Sequence, residues 1–188
     1  MPKRLMSILA LPLLALSFSP AWADEYSDTI GVFKNAGESG DFFNTAYGYA
    51  VFPTIGKAGF VVGGAYGNGR VYEKGKVIGD SSVKQVSVGL QLGAQGYSEI
   101  IFFQDERALK EFISGNFEFG ADASVVAITA AASAQASTTG SSAGASGGKK
   151  DATTVGKYNK GMATFTVAKG GLMYEAAIAG QKFTYKAR

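Results

Sequence analysis

Cysteine and histidine are both absent from this 188-residue chain. Without cysteine there is no disulfide, no thiolate ligand for zinc and no thiol nucleophile. Without histidine the usual general base near neutral pH is missing, so most hydrolase and metal-site designs fall away together. Proline occurs four times and tryptophan once, whereas glycine takes 26 positions, about double the ordinary share. Much of that glycine lies inside alternating patterns, where it marks bulges and sharp curvature.

The first 23 residues read as a secretory leader. Lys3 and Arg4 form the basic start, Leu5 to Phe18 the apolar stretch, and Ala21-Trp22-Ala23 the small-residue cleavage signal. The apolar stretch, interrupted by Ser7, Pro12 and Ser17, falls short of the roughly 20 residues a spanning helix needs. Cleavage predicts a mature chain of residues 24–188, read as one domain in the periplasm, soluble or peripheral to an envelope membrane. Removing Lys3 and Arg4 lowers the formal charge from +3 to +1, too little for a broad cationic face that holds nucleic acid. No cysteine follows the leader to carry an acyl anchor.

Tyr26, Ile30 and Phe33 recur at helical spacing, with Ser27 or Asp28 as cap and Gly37 as stop. Asp41 precedes a second short helix containing Phe42 and Phe43, and Pro53 is read as closing this helical part. From Gly59 onward the period is two. Val86, Val88, Leu90, Leu92 and Ala94 are read as the inward face of one strand, opposite Gln85, Ser87 and Gln91. Asn68-Gly69 predicts a hairpin turn and Lys74-Gly75 another. Ile100 to Phe103, apolar on both faces, predicts a central strand, and adjacent strands are expected to pair antiparallel. Asp105 caps a helix with the stripe Ala108, Leu109, Phe112 and Ile113, ended by Gly115. Alternation resumes through Phe117, Phe119, Ala121, Ala123 and Val125. Residues 133–150, nearly all Ala, Ser, Thr and Gly, read as a flexible loop. Phe165 and Val167, then Leu172, Tyr174, Ala176 and Ile178, then Phe183 and Tyr185 read as the inward residues of the last strands. The fold class expected is α+β: a curved, Gly-rich antiparallel sheet of roughly seven to nine strands, or a partly closed barrel, with short N-terminal helices and one internal helix packed on it.

Three blocks, residues 46–72 (AYGYAVFPTIGKAGFVVGGAYGNGRVY), 105–128 (DERALKEFISGNFEFGADASVVAI) and 162–185 (MATFTVAKGGLMYEAAIAGQKFTY), resemble in order the SYLF domain family, and its small secreted bacterial members most of all. The resemblance covers nearly the whole mature chain. It implies a non-enzymatic, cofactor-free protein whose partner is a phospholipid or a membrane surface. It makes Lys57, Arg70, Lys74, Lys76 and Lys84 candidates for anionic head groups, although each reads equally well as a solubilising charge at a turn or edge. Eukaryotic members associate membrane contact with a basic amphipathic helix before the sheet. Here that region carries Asp24, Glu25, Asp28, Glu38 and Asp41 against Lys34. What remains is hydrophobic contact through Ile30, Phe33, Phe42 and Phe43, residues that serve equally as core.

Three other readings stay open on sequence alone. One is a structural or stress-related envelope protein without a ligand. Another is a small outer-membrane barrel, against which stands the non-aromatic end Tyr185-Lys186-Ala187-Arg188. The last is a cryptic Ser–Lys or two-carboxylate hydrolase drawing on Glu106, Glu111, Glu118 or Asp122. The two G-x-S-x-G matches, at 140–144 and 144–148, lie in low-complexity sequence and lack the histidine a nucleophile elbow requires. Neither a D-x-D-x-D-G calcium loop nor a dinucleotide-binding glycine turn occurs.

Overall fold

The structure, a computed structural model, describes residues 22–59, 62–88, 94–128, 157–169 and 178–188. Seven strands form a mostly antiparallel sheet in the order β5-β6-β4-β1-β2-β3-β7. Their ranges are β1 Gly48–Gly59, β2 Val62–Glu73, β3 Lys76–Val88, β4 Ala94–Phe103, β5 Val125–Ile128, β6 Met162–Lys169 and β7 Lys182–Ala187. The helices are α1 Trp22–Asn35, the one-turn α2 Gly37–Gly40 and α3 Phe42–Thr45, and α4 Glu106–Phe112. The α+β class expected from the sequence is observed, and the sheet is not closed. Residues 1–21 of the expected leader, the expected 133–150 loop and Leu172, Tyr174 and Ala176 lie outside the described residues, while Trp22 and Ala23 of the expected cleavage signal begin α1.

Each face of the sheet carries its own apolar cluster. Helices α1 to α3 pack Tyr26, Phe33, Phe42 and Phe43 onto Val51, Ile100, Phe102 and Phe165. Phe102 stacks on Phe42 at 5.4 Å and meets Phe43 edge-on at 4.9 Å between ring centroids. On the opposite face α4 and the Phe117–Phe119 segment cover Phe52, Ile55, Ile101, Phe103 and Phe183. The Ile100–Phe103 run feeds both clusters, which is why it reads apolar on both sides and lies between β1 and β6.

Helix α4 forms as its signals require. The Asp105 carboxylate accepts from the Ala108 amide at 2.9 Å, satisfying one of the orphan donors of the first turn, and Gly115 takes φ +89° just past the end. At the other end of the domain the reading needs correction. Helix α1 starts at Trp22, so Ser27 and Asp28 lie inside it rather than at its start, and Thr29 Oγ1 bonds back to the Glu25 carbonyl at 2.7 Å.

Strand β1 begins at Gly48, eleven residues before the expected change of period, and Pro53 lies within it. The ladders to both neighbours shift register there, between Val51 and Thr54 on β2 and between Phe52 and Ile55 on β4. Such a bulge accommodates a residue with no N–H to donate. Ser98 Oγ donates to the Pro53 carbonyl at 2.7 Å. The bulge also explains Asn68-Gly69, which is no turn: β2 runs straight through it, and Gly69 lies opposite the extra β1 residues. A Cβ there would run into the Phe52 ring and lie 2.8 Å from the Val51 carbonyl oxygen. The turn is at Lys74-Gly75, both with positive φ.

Two further expectations are revised. Strand β5 pairs parallel with β6. The face assigned to Val86 is inverted: Val86 is 77% exposed and Gln85 only 7%, because Gln85 Nε2 donates to the Ala179 carbonyl at 2.9 Å and so is satisfied inside. The run read as one strand over 85–95 belongs partly to β3 and partly to β4, with residues 89–93 outside the described set.

Candidate functional site

The helices cover only half of the sheet face they pack on. Their coverage reaches Thr54 and Arg70: Glu25 of α1 accepts from Thr54 Oγ1 at 2.8 Å, and the Arg70 guanidinium lies 4.0 Å from the centre of the Tyr26 ring. Beyond that line the alternating residues of three adjacent strands are exposed, namely Gly56 and Ala58 of β1, Val62, Gly64 and Tyr66 of β2, and Lys84 and Val86 of β3. Val62 is 63% and Tyr66 51% exposed. Register places Gly64 beside both Ala58 and Val86, and Tyr66 beside Lys84. The small residues between them leave a smooth apolar strip bordered by a cation. Exposed apolar side chains gathered on one surface usually mark a contact with something other than water.

A second feature lies at the far end of the same strands. A cleft of about 450 Å³ opens between α2–α3 and the β2–β3 turn, lined by Lys34, Phe43, Asn44, Tyr47, Tyr49 and Lys74 among others. The Lys34 ammonium lies 5.4 Å from the Phe43 ring centre and that of Lys74 5.0 Å from Tyr47. The Tyr47 hydroxyl donates to Glu73 at 2.7 Å, which more than its surroundings raises its pKa to about 12.

The structure spreads the sequence-proposed residues over these features rather than gathering them. Lys74 and Lys76 stand at the β2–β3 turn, whereas Lys84 and Lys57 lie toward the opposite ends of β3 and β1. Arg70 sits between, stacked on Tyr26 and 3.9 Å from Asp80. Phe33 is fully buried, and Ile30, Phe42 and Phe43 are half-buried against the sheet. The carboxylates considered for catalysis do not converge. Glu106 pairs with Lys110 at 2.7 Å, Glu111 with Arg107 at 3.2 Å, Glu118 with Lys182 at 3.6 Å and Asp122 with Lys160 at 2.7 Å. No group of three or more potential acidic metal ligands occurs among the described residues.

Sequence reasoning missed Val62, Tyr66 and Val86 as an exposed set and Glu99 as a buried one. The first were hidden by the assumption that the apolar side of an alternation faces inward. Glu99 sits between Tyr97 and Ile101 on the inner face of β4, fully buried. Burial pushes its carboxyl up to about 8, with the Gln181 hydrogen bond opposing.

Residues 84–187 match the family model described as Las17-binding protein actin regulator, Ysc84. The chain belongs to this family, the SYLF family. The chain is also similar to beta cell expansion factor A of Aeromonas veronii, 29% identical over 143 residues, covering 75% of this chain. The alignment takes in 46% of that protein, so the chain spans less than half the length of the curated relative it matches. The family model begins inside β3 and runs through β7. Helices α1–α3, β1 and β2, and most of the exposed strip, lie before the matched residues.

Proposed function

We propose that this SYLF-family chain is a non-catalytic protein of the bacterial periplasm that associates with phospholipid surfaces. The observation that carries the reading is the strip of Val62, Tyr66 and Val86 beside Lys84, large apolar side chains held outward and exposed on paired strands. Full burial of such side chains is worth about 1.5–3 kcal/mol each, and a cation near an anionic leaflet adds about 1 kcal/mol. Together these support reversible, peripheral attachment. The cleft with Lys34 and Lys74 offers a second place for an anionic group. The helices packed on one sheet face and the open sheet favour this reading over an outer-membrane barrel. The ion-paired carboxylates favour it over a hydrolase.

Flotation of the purified mature chain with liposomes of bacterial phospholipids tests it. Co-flotation that falls when Val62, Tyr66 and Val86 are together replaced by threonine is expected. No co-flotation with either neutral or anionic liposomes would end the proposal.

A further inference from the structure

We propose that Glu99 is a proton-held latch: as an uncharged carboxylic acid it seats Gln181, and with it the turn into β7 and the Phe117–Phe119 segment, and loss of the proton frees this edge of the sheet. The latch is assembled from both flanks of the fold. Gln181 is fully buried, and its side-chain amide spends both protons, one on the Tyr97 hydroxyl at 3.0 Å and one on Glu99 Oε2 at 2.9 Å. Its backbone carbonyl accepts from the Phe119 amide at 3.0 Å. The Gly180 amide donates back to Phe119 at 2.9 Å, and the Phe183 amide donates to Phe117 at 2.9 Å. Gln181 thus joins β4 through its side chain to the Phe117–Phe119 segment through the backbone around it, at the entry to β7.

The hydrogen-bond inventory calls for a proton. Glu99 Oε1, Gln181 Oε1 and Thr166 Oγ1 are buried without a partner, and Thr166 stands directly opposite Glu99 on β6. If Glu99 is ionised, its Oε1 is a buried acceptor without a donor and no cation pairs with the charge, which is costly. A proton on Oε1 removes that charge and turns the unpartnered acceptor into a donor.

Among the described residues no lysine or arginine forms an ion pair with Glu99. Tyr97 is the titratable neighbour on its own strand, and the Glu99 charge and burial push that phenol upward. Phe52 and Ile55 face it from β1, Thr166 from β6, and Phe119 and Phe183 line the same cluster. The charged groups nearby are the Glu118–Lys182 pair on the surface of the latch, 3.6 Å apart, and the half-exposed Lys57 farther along β1.

The raised carboxyl sets the window. A closed form that holds its proton up to about 8, against 4.5 in an open one, loses ground tenfold per pH unit between those values and no further above them. Hydrogen exchange, corrected for intrinsic rates, reads this directly. Protection of the Phe119, Gly180 and Phe183 amides should fall about tenfold per unit over pH 5.5–7.5, and at each pH these amides should be less protected than those of the β1–β2 ladder, which open only with the whole fold. In Glu99→Gln, which keeps the shape and supplies donors without a charge, that slope should vanish. Gln181→Met should leave the same three amides poorly protected at every pH. Protection independent of pH in the wild type, an equal slope in Glu99→Gln, or latch amides as well protected as those of β1–β2 throughout would each overturn the proposal.

Discussion

Replacing Gly69 with alanine isolates the packing logic of the β1 bulge. The added methyl meets the Phe52 ring on one side and lies 2.8 Å from the Val51 carbonyl oxygen on the other. The ring is fully buried and closed in by Phe183 at 5.5 Å, so it has little room to turn away. The carbonyl belongs to a central strand paired on both sides. Overpacking of this kind costs about 1–3 kcal/mol. Alanine returns about 0.4–1 kcal/mol at an unstrained site by restricting the unfolded chain, and strain here outweighs that. Urea unfolding followed by far-UV circular dichroism should show the midpoint lowered at unchanged slope. Adding Phe52→Leu to Gly69→Ala relieves the ring conflict and leaves the carbonyl conflict, so the double variant should lose less than the sum of the singles, by about 1 kcal/mol. A Gly69→Ala protein within about 0.5 kcal/mol of wild type, or singles that simply add, would refute the account.

Phe33→Ala should cost about 3–5 kcal/mol in the same assay, because a fully buried ring between α1 and the sheet leaves a cavity. Asp105→Ala removes the bond to the Ala108 amide and should cost about 1 kcal/mol, with Asp105→Asn recovering most of it. Glu99 has a folded pKa above its unfolded one, so its contribution is complete below about 4.5 and is lost as pH rises toward about 8. Wild-type stability should therefore decline by up to about 1.4 kcal/mol per pH unit in that window, and Glu99→Gln should flatten the decline. Threonine at Val62, Tyr66 and Val86 should leave stability within about 0.5 kcal/mol, since these side chains are exposed and threonine keeps strand preference. Denaturant midpoints measured beside the flotation assay check that the loss is in binding.

Features carried by local chemistry were legible in the sequence. Asp105 and Gly115 bracket α4, Phe42 and Phe43 mark α3, Lys74-Gly75 turns the chain, and Ile100 to Phe103 announces a strand apolar on both faces. What escaped depends on partners distant in sequence. Asn68-Gly69 carries the signature of a turn, yet a bulge fourteen or more residues earlier needs a glycine opposite it. Pro53 looks like a terminator because its missing N–H matters only if a neighbour wants it. Gln85 is polar on paper and inside in the fold because Ala179 supplies its acceptor. Glu99 is one letter in an alternating strand, and its isolation from cations is set by β1, β6 and β7. For the candidate site, the cationic residues were legible as types, but their separation along β2 and β3 was not, and the outward Val86 read as inward.

The strand order carries a consequence for how the chain is made. β1 to β4 form a contiguous block, and the last 27 residues, 162–188, then supply a neighbour to each side of it, β6 against β4 and β7 against β3. Until residues 162–188 have left the ribosome, both margins of the block have hydrogen-bonding groups without their native mates. The growing polypeptide is vulnerable to mispairing for almost its entire length, and loss of a few C-terminal residues unzips the β3 margin from its end.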